Sequence, residues 1–191
     1  MIFNLPNNLT LLRIFLIPVI GFLIFIPTFW AAWGALALYT IACVTDWLDG
    51  YIARRQNITS AFGRFLDPIA DKLLIAILLL IFAALHRLDG WWILAACVIM
   101  FREVLIAGLR EFLGPQNIVI HVSNLAKWKT TSQMIALGFL VVGDFGNWLL
   151  PETLLIGQIL LSVSAVLTLI TGWDYLKQGL VAIVNIEKGN K

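Results

Sequence analysis

Long apolar runs, broken by short clusters of charge, proline and glycine, dominate the pattern along this 191-residue chain. Read for those breaks, it predicts helices over residues 9–28, 31–54, 65–85, 91–112, 125–143 and 153–176. Each is close to the roughly 20 apolar residues that a helix needs to cross the hydrocarbon of a bilayer. The connections are short, and no internal repeat or low-complexity segment divides the chain. The expected architecture is therefore all-α and polytopic: a bundle of six transmembrane helices forming a single membrane domain over residues 1–191. Asn4, Pro6, Asn7, Asn8 and Thr10 read as an N-terminal interfacial segment that caps the first helix. The start lacks the basic residues and short apolar core of a secretory signal, so it is expected to be retained.

Composition strengthens the membrane reading. Hydrophobic residues make up 61% of the chain and charged residues 13%, against about 25% charged in ordinary soluble domains. The net charge of +2 is small and the basic residues form no polybasic run, which argues against a nucleic-acid partner. Cys43 and Cys97 lie in apolar stretches without the spacing of a zinc site, and read as buried small side chains rather than a disulfide.

The placement of the charges is more telling than their sum. Arg54, Arg55, Arg64, Arg110, Lys127 and Lys129 fall in or beside the connections after the second and fourth helices, and Lys177, Lys188 and Lys191 in the tail. The opposite connections offer only Arg87. The positive-inside rule then puts both termini and the basic loops on the cytoplasmic side of the cytoplasmic (inner) membrane. Trp30, Trp33, Trp91, Trp92 and Trp148 cluster near the other helix ends, where an aromatic interface belt belongs. His86 and His121 fall on opposite sides, which excludes a joint role and leaves both as solvated residues.

Four aspartates interrupt this economy of charge. Asp46 and Asp49 are three residues apart on the second helix and Asp67 and Asp71 four apart on the third, so each pair shares a helical face. Gly50 and Ala53 share the face of the first pair, and Gly63 precedes the second; small side chains there let a bulky ligand approach the backbone. An ionised aspartate at a bilayer centre costs on the order of 3 kcal/mol, so four of them together require compensation. They could be solvated helix-end charges paired with Arg54, Arg55, Arg64 and Lys72. The double helical spacing instead favours convergence on hard cations such as Mg²⁺ or Mn²⁺, which would also relieve the mutual repulsion.

The ordered pattern Asp46-x-x-Asp49-Gly50-x-x-Ala53-Arg54, eight residues, then Gly63-x-x-x-Asp67-x-x-x-Asp71 resembles the signature of the CDP-alcohol phosphatidyltransferases, with every fixed position matched. Softer similarities lie in Pro6-Asn7-Asn8-Leu9-Thr10 with Arg13, in Phe101-Arg102-Glu103 to Leu109-Arg110-Glu111, and in Lys127-Trp128-Lys129-Thr130-Thr131. These look like the bacterial branch of the family whose acceptor is sn-glycerol 3-phosphate.

That resemblance implies transfer of a phosphatidyl group from CDP-diacylglycerol to the acceptor hydroxyl with release of CMP. It further implies two metal ions on Asp46, Asp49, Asp67 and Asp71, with Asp71 also the general base, and a homodimer as the common assembly. Asp49, Gly50, Ala53, Arg54 and Gly63 would then bind CDP-diacylglycerol. Arg102, Arg110, Lys127 and Lys129 would bind the acceptor phosphate, with Arg13 reaching the site from the first helix. Arg102 lies inside an apolar span and needs a partner there, either Glu103 or a ligand phosphate. As simple topology anchors these cations would need no ligand. Inositol, an inositol phosphate, serine or a phospholipid are alternative acceptors, and a cation-coupled transporter is the main non-enzymatic reading. A transporter would carry midplane charges and repeated halves, neither of which this chain shows.

Overall fold

A computed structural model describes residues 5–56, 61–114 and 124–189. Six long helices run through them: α1 (Leu5–Phe25), α2 (Phe29–Gln56), α3 (Ala61–Ala84), α4 (Trp92–Leu113), α5 (Asn124–Val142) and α6 (Thr153–Gly189). A short 3-10 helix, Gly143–Trp148, follows α5. Helix α1 packs against α2 and α3, while α6 packs against α4 and α5, and α2 meets α5 to join the two groups.

Ile20, Ala35, Leu78, Phe82, Ile99, Leu137, Leu140 and Leu161 fill the shared core. The outward faces are apolar as well: Phe15, Phe22, Leu80, Phe101 and Val166 are all exposed. A helix apolar on every side has no water-facing stripe and suits a lipid surround. Four helical segments, Asn7–Phe25, Phe29–Asp46, Trp92–Leu113 and Thr153–Ile186, are long and apolar enough to cross a membrane. On length and composition, four of the six expected spans therefore qualify among the described residues. Helices α3 and α5 fall short because Asp67, Asp71 and Lys72 occupy the first half of one and Lys127 and Lys129 the first turns of the other.

Three further expectations change. The lead-in is already helix, since α1 begins at Leu5 and takes in Pro6; proline is tolerated in a first turn, where its missing N–H would have no partner. Asn7 and Thr10 are buried rather than capping from the interface. The last helix runs to Gly189 instead of 176; its 37 residues measure about 55 Å at 1.5 Å per residue. That exceeds a hydrocarbon core of roughly 30 Å, so the final turns project beyond it. Cys97 is exposed on the outer surface of α4, while Cys43 is half-buried; both are free thiols.

The end of the bundle away from the aspartates is closed by Arg87. Its guanidinium donates to the carbonyls of Leu140 at 2.5 Å and Val141 at 2.7 Å, satisfying acceptors that the end of α5 leaves without helical partners. Gln158 Nε2 donates in turn to the Arg87 carbonyl at 2.9 Å. Gly143, at φ +56°, turns the chain beneath that guanidinium, and a Cβ there would lie 2.9 Å from Arg87 Cζ. Burial pushes the Arg87 pKa down from its ordinary value, and Asp144 opposes that shift. Trp30, Trp91 and Trp148 are exposed, and Phe29 meets the Trp30 and Trp148 rings edge to face. His86 is exposed beside Asp89, 3.1 Å away.

Candidate active site

The carboxylates of α2 and α3 meet on a side chain from α1. Arg13 is 1% exposed, and one terminal nitrogen lies 2.6 Å from Asp46 Oδ1 and 2.8 Å from Asp71 Oδ1. One turn earlier on α1, Thr10 Oγ1 donates to Asp67 Oδ1 at 2.6 Å. The i, i+3 and i, i+4 spacings of a helix explain the arrangement, because Thr10 and Arg13 share one face of α1 just as Asp67 and Asp71 share one face of α3. Hard carboxylate oxygens from two helices, directed at one positive centre, are also the donor chemistry that Mg²⁺ or Mn²⁺ takes. Among the described residues, no three acidic, histidine or cysteine side chains come together.

A second charged cluster joins α4 to α5. Glu103 accepts from Lys129 Nζ and, at 3.1 Å, from Arg102 Nη1. These side chains are largely buried, so the carboxylate offsets two cations that would otherwise be costly inside the bundle. Nearer the surface, Arg110 Nε donates to Tyr175 Oη at 3.2 Å, and its guanidinium lies 5.3 Å from the centre of that ring. Tyr39 Oη donates to the Met134 carbonyl at 2.9 Å, tying α2 to α5 between the clusters.

One cavity of about 930 Å³ connects them. Its wall takes Arg13, Asp46 and Asp71 from α1, α2 and α3 and Arg102, Glu103, Arg110, Lys127 and Lys129 from α4 and α5, together with Tyr39, Cys43 and Gln133. The projecting part of α6 completes the rim with Asp174, Tyr175, Lys177 and Gln178. A volume of this size lies at the upper end of the range for ligand sites.

Of the residues singled out from sequence, Arg13, Asp46, Asp71, Arg102, Arg110, Lys127 and Lys129 thus line a single space. Asp67 stands behind it on Thr10, and Gly63 is buried within α3. The side chains of Asp49, Gly50, Ala53 and Arg54 lie outside the described residues, as does His121. Arg13, expected to reach the site from the first helix, holds the central position between the two carboxylates. Thr10, Gln133 and the α6 rim were not identified as site residues. Their signal was helical phase: Thr10 lies three residues before Arg13, and Gln133 four after Lys129.

The sequence model that describes the CDP-alcohol phosphatidyltransferases matches residues 3–183. The chain belongs to that family. Among its relatives is a CDP-diacylglycerol–glycerol-3-phosphate 3-phosphatidyltransferase of Rickettsia typhi, 41% identical over 174 residues that cover 91% of this chain and 96% of the relative. Proteins of the same name from Cereibacter sphaeroides, at 35% identity over 93% of this chain and 96% of the relative, and from Shigella flexneri, at 40% over 91% and 93%, are similar along nearly their whole lengths. Within the CDP-alcohol phosphatidyltransferase fold seen here, the motif residues Asp46 and Asp71 share one cavity with the basic cluster.

Proposed function

We propose that the chain transfers the phosphatidyl group of CDP-diacylglycerol to sn-glycerol 3-phosphate, giving phosphatidylglycerophosphate and CMP, as part of anionic phospholipid synthesis. The observation that carries this reading is the cavity shared by the Asp46–Asp71 pair and the Arg102, Arg110, Lys127 and Lys129 cluster. A donor with a pyrophosphate and an acceptor with its own phosphate need two separate polar ends, and a neutral acceptor gives the basic end no purpose. The names of the relatives support the same acceptor.

In the reaction, the acceptor's primary hydroxyl oxygen forms a bond to the phosphatidyl phosphorus. The bond from that phosphorus to the bridging oxygen breaks, CMP leaves with the electron pair, and the hydroxyl proton passes to Asp71. Phosphoryl transfer depends chiefly on positioning and on stabilising charge at the entering and leaving oxygens. Asp71 lines the cavity where the hydroxyl must enter, and a carboxylate within hydrogen-bond reach can take the proton. Arg13 holds Asp46 and Asp71 in register, while Arg110 and Lys127 draw the acceptor phosphate to the opposite wall. Asp49, Gly50, Ala53, Arg54 and Gly63 bind the donor.

Members of the family generally depend on a divalent metal. Asp46, Asp49, Asp67 and Asp71 would hold two Mg²⁺ or Mn²⁺ ions, which supply charge neutralisation at the pyrophosphate. The protein is further proposed to be a multi-pass homodimer of the cytoplasmic membrane with its site and termini toward the cytoplasm, α3 and α5 crossing alongside the four more apolar spans.

The test is CMP release by purified protein from CDP-diacylglycerol with glycerol 3-phosphate, inositol or serine, with Mg²⁺ or with chelator, alongside Asp71→Asn. Release that requires glycerol 3-phosphate and metal, and is lost in the variant, is expected. Release with inositol or serine instead would overturn the acceptor assignment, and none with any acceptor from folded protein would overturn the activity.

A further inference from the structure

Gln133 is 3% exposed, lines the cavity, and its Oε1 has no hydrogen-bond partner among the described residues. Arg102 Nε, in the same cavity lining, is likewise buried without a partner there. Leaving a buried amide oxygen unsatisfied costs about 1–3 kcal/mol, which a folded protein seldom tolerates where nothing compensates. Core packing does not require an amide: four residues on, the same face of α5 carries Leu137, a core side chain. The polar group therefore faces the cavity at a position where an apolar one would pack as well.

Its depth is informative. Gln133 lies one helical turn beyond Lys129, about 6 Å along α5, and beside Met134, whose carbonyl accepts from Tyr39 of α2. Glycerol 3-phosphate spanning the cavity, with its phosphate among the cations and its primary hydroxyl at Asp71, places its secondary hydroxyl between the two ends. We propose that Gln133 determines acceptor specificity by hydrogen bonding that secondary hydroxyl. An amide suits the task, since it offers both an acceptor oxygen and donor N–H groups and, unlike a carboxylate, adds no charge between the anionic donor and the acceptor phosphate. This rests on the acceptor proposed above and deepens it.

The experiment compares kcat/KM for sn-glycerol 3-phosphate and for 3-hydroxypropyl phosphate, which keeps the phosphate and primary hydroxyl but lacks the secondary one. It uses full-length wild type, Gln133→Met and Gln133→Leu. Wild type is expected to prefer glycerol 3-phosphate. The substitutions should lower kcat/KM for that acceptor about tenfold, the scale of one hydrogen bond to a buried group. They should leave the deoxy acceptor within about twofold, and the KM for CDP-diacylglycerol and the thermal unfolding midpoint unchanged. An equal fall with both acceptors would make Gln133 a packing residue and overturn the proposal, as would an unaltered preference in both variants. Wild type that uses neither acceptor would instead defeat the proposed function, so the two failures are distinguishable.

Discussion

One nitrogen of Arg13 meets both Asp46 and Asp71, so the site requires a positive charge of the right reach at that point. Arg13→Lys should therefore retain much of the fold and activity, because an ammonium can also sit between two carboxylates. Arg13→Met should not. Breaking a buried ion pair costs roughly 3–5 kcal/mol, which the partial exposure of the two aspartates reduces here to about 2 kcal/mol. Thermal unfolding in detergent with chelator measures this, and a methionine variant as stable as wild type would show that the bridge contributes nothing. Glu103 makes the complementary case: one carboxylate holds Lys129 and Arg102. Glu103→Gln should raise the KM for glycerol 3-phosphate roughly tenfold, or about 1.4 kcal/mol, while leaving that for CDP-diacylglycerol alone. Steady-state kinetics varying each substrate separately distinguish this from a general loss of folding, in which both would suffer.

Helices carry these side chains to the cavity, and the closeness of α6 to α4 sets its far wall. A Cβ at Gly172 would lie 2.9 Å from Arg102 Cγ, and one at Gly179 would collide with Leu109 Cδ2. Small residues at such crossings let membrane helices approach closely. Gly179→Leu and Gly172→Leu should force α6 outward at a cost of about 1–3 kcal/mol each, with Gly172→Leu also disturbing the Arg102–Glu103 pair. Gly108→Leu serves as the control, since nothing lies within 4 Å of its added Cβ. Unfolding midpoints should fall for the first two alone; equal tolerance of all three would mean that the crossing is not tight.

The same elements mark what was readable in advance. The helix centres followed from apolar runs, and the paired aspartate faces from spacing within one helix. The position of Arg13 did not, because it depends on α1 docking against α2 and α3, a relation between distant segments that one sequence does not encode locally. The contribution of α6 was missed because Asp174, Tyr175, Lys177 and Gln178 read as the end of a span and its tail, where polar residues ordinarily meet water.

At the scale of the whole molecule, the two ends differ in chemistry. The cavity end gathers Arg102, Arg110, Lys127, Lys129 and Lys177. The other carries exposed Trp30, Trp91 and Trp148, with Arg87 drawn inward onto carbonyl oxygens of α5. A half-buried, hydrogen-bonded Arg87 is a structural cap rather than an anchor at the water surface, so the surface bias toward the cavity end is stronger than a count of basic residues suggests. Because loop Lys and Arg set orientation, the cavity end should face the cytoplasm, where soluble glycerol 3-phosphate would enter. Cysteine labelling checks this in a chain with Cys43 and Cys97 replaced by serine. His86 is exposed at the connection between α3 and α4, so His86→Cys should react with a membrane-impermeant maleimide applied from outside to intact spheroplasts. Lys177→Cys, at the cavity rim, should react only in inverted vesicles. The reverse labelling would invert the topology and detach the active site from its soluble substrate; reaction of both from one side would mean that the helices between them do not carry the chain across.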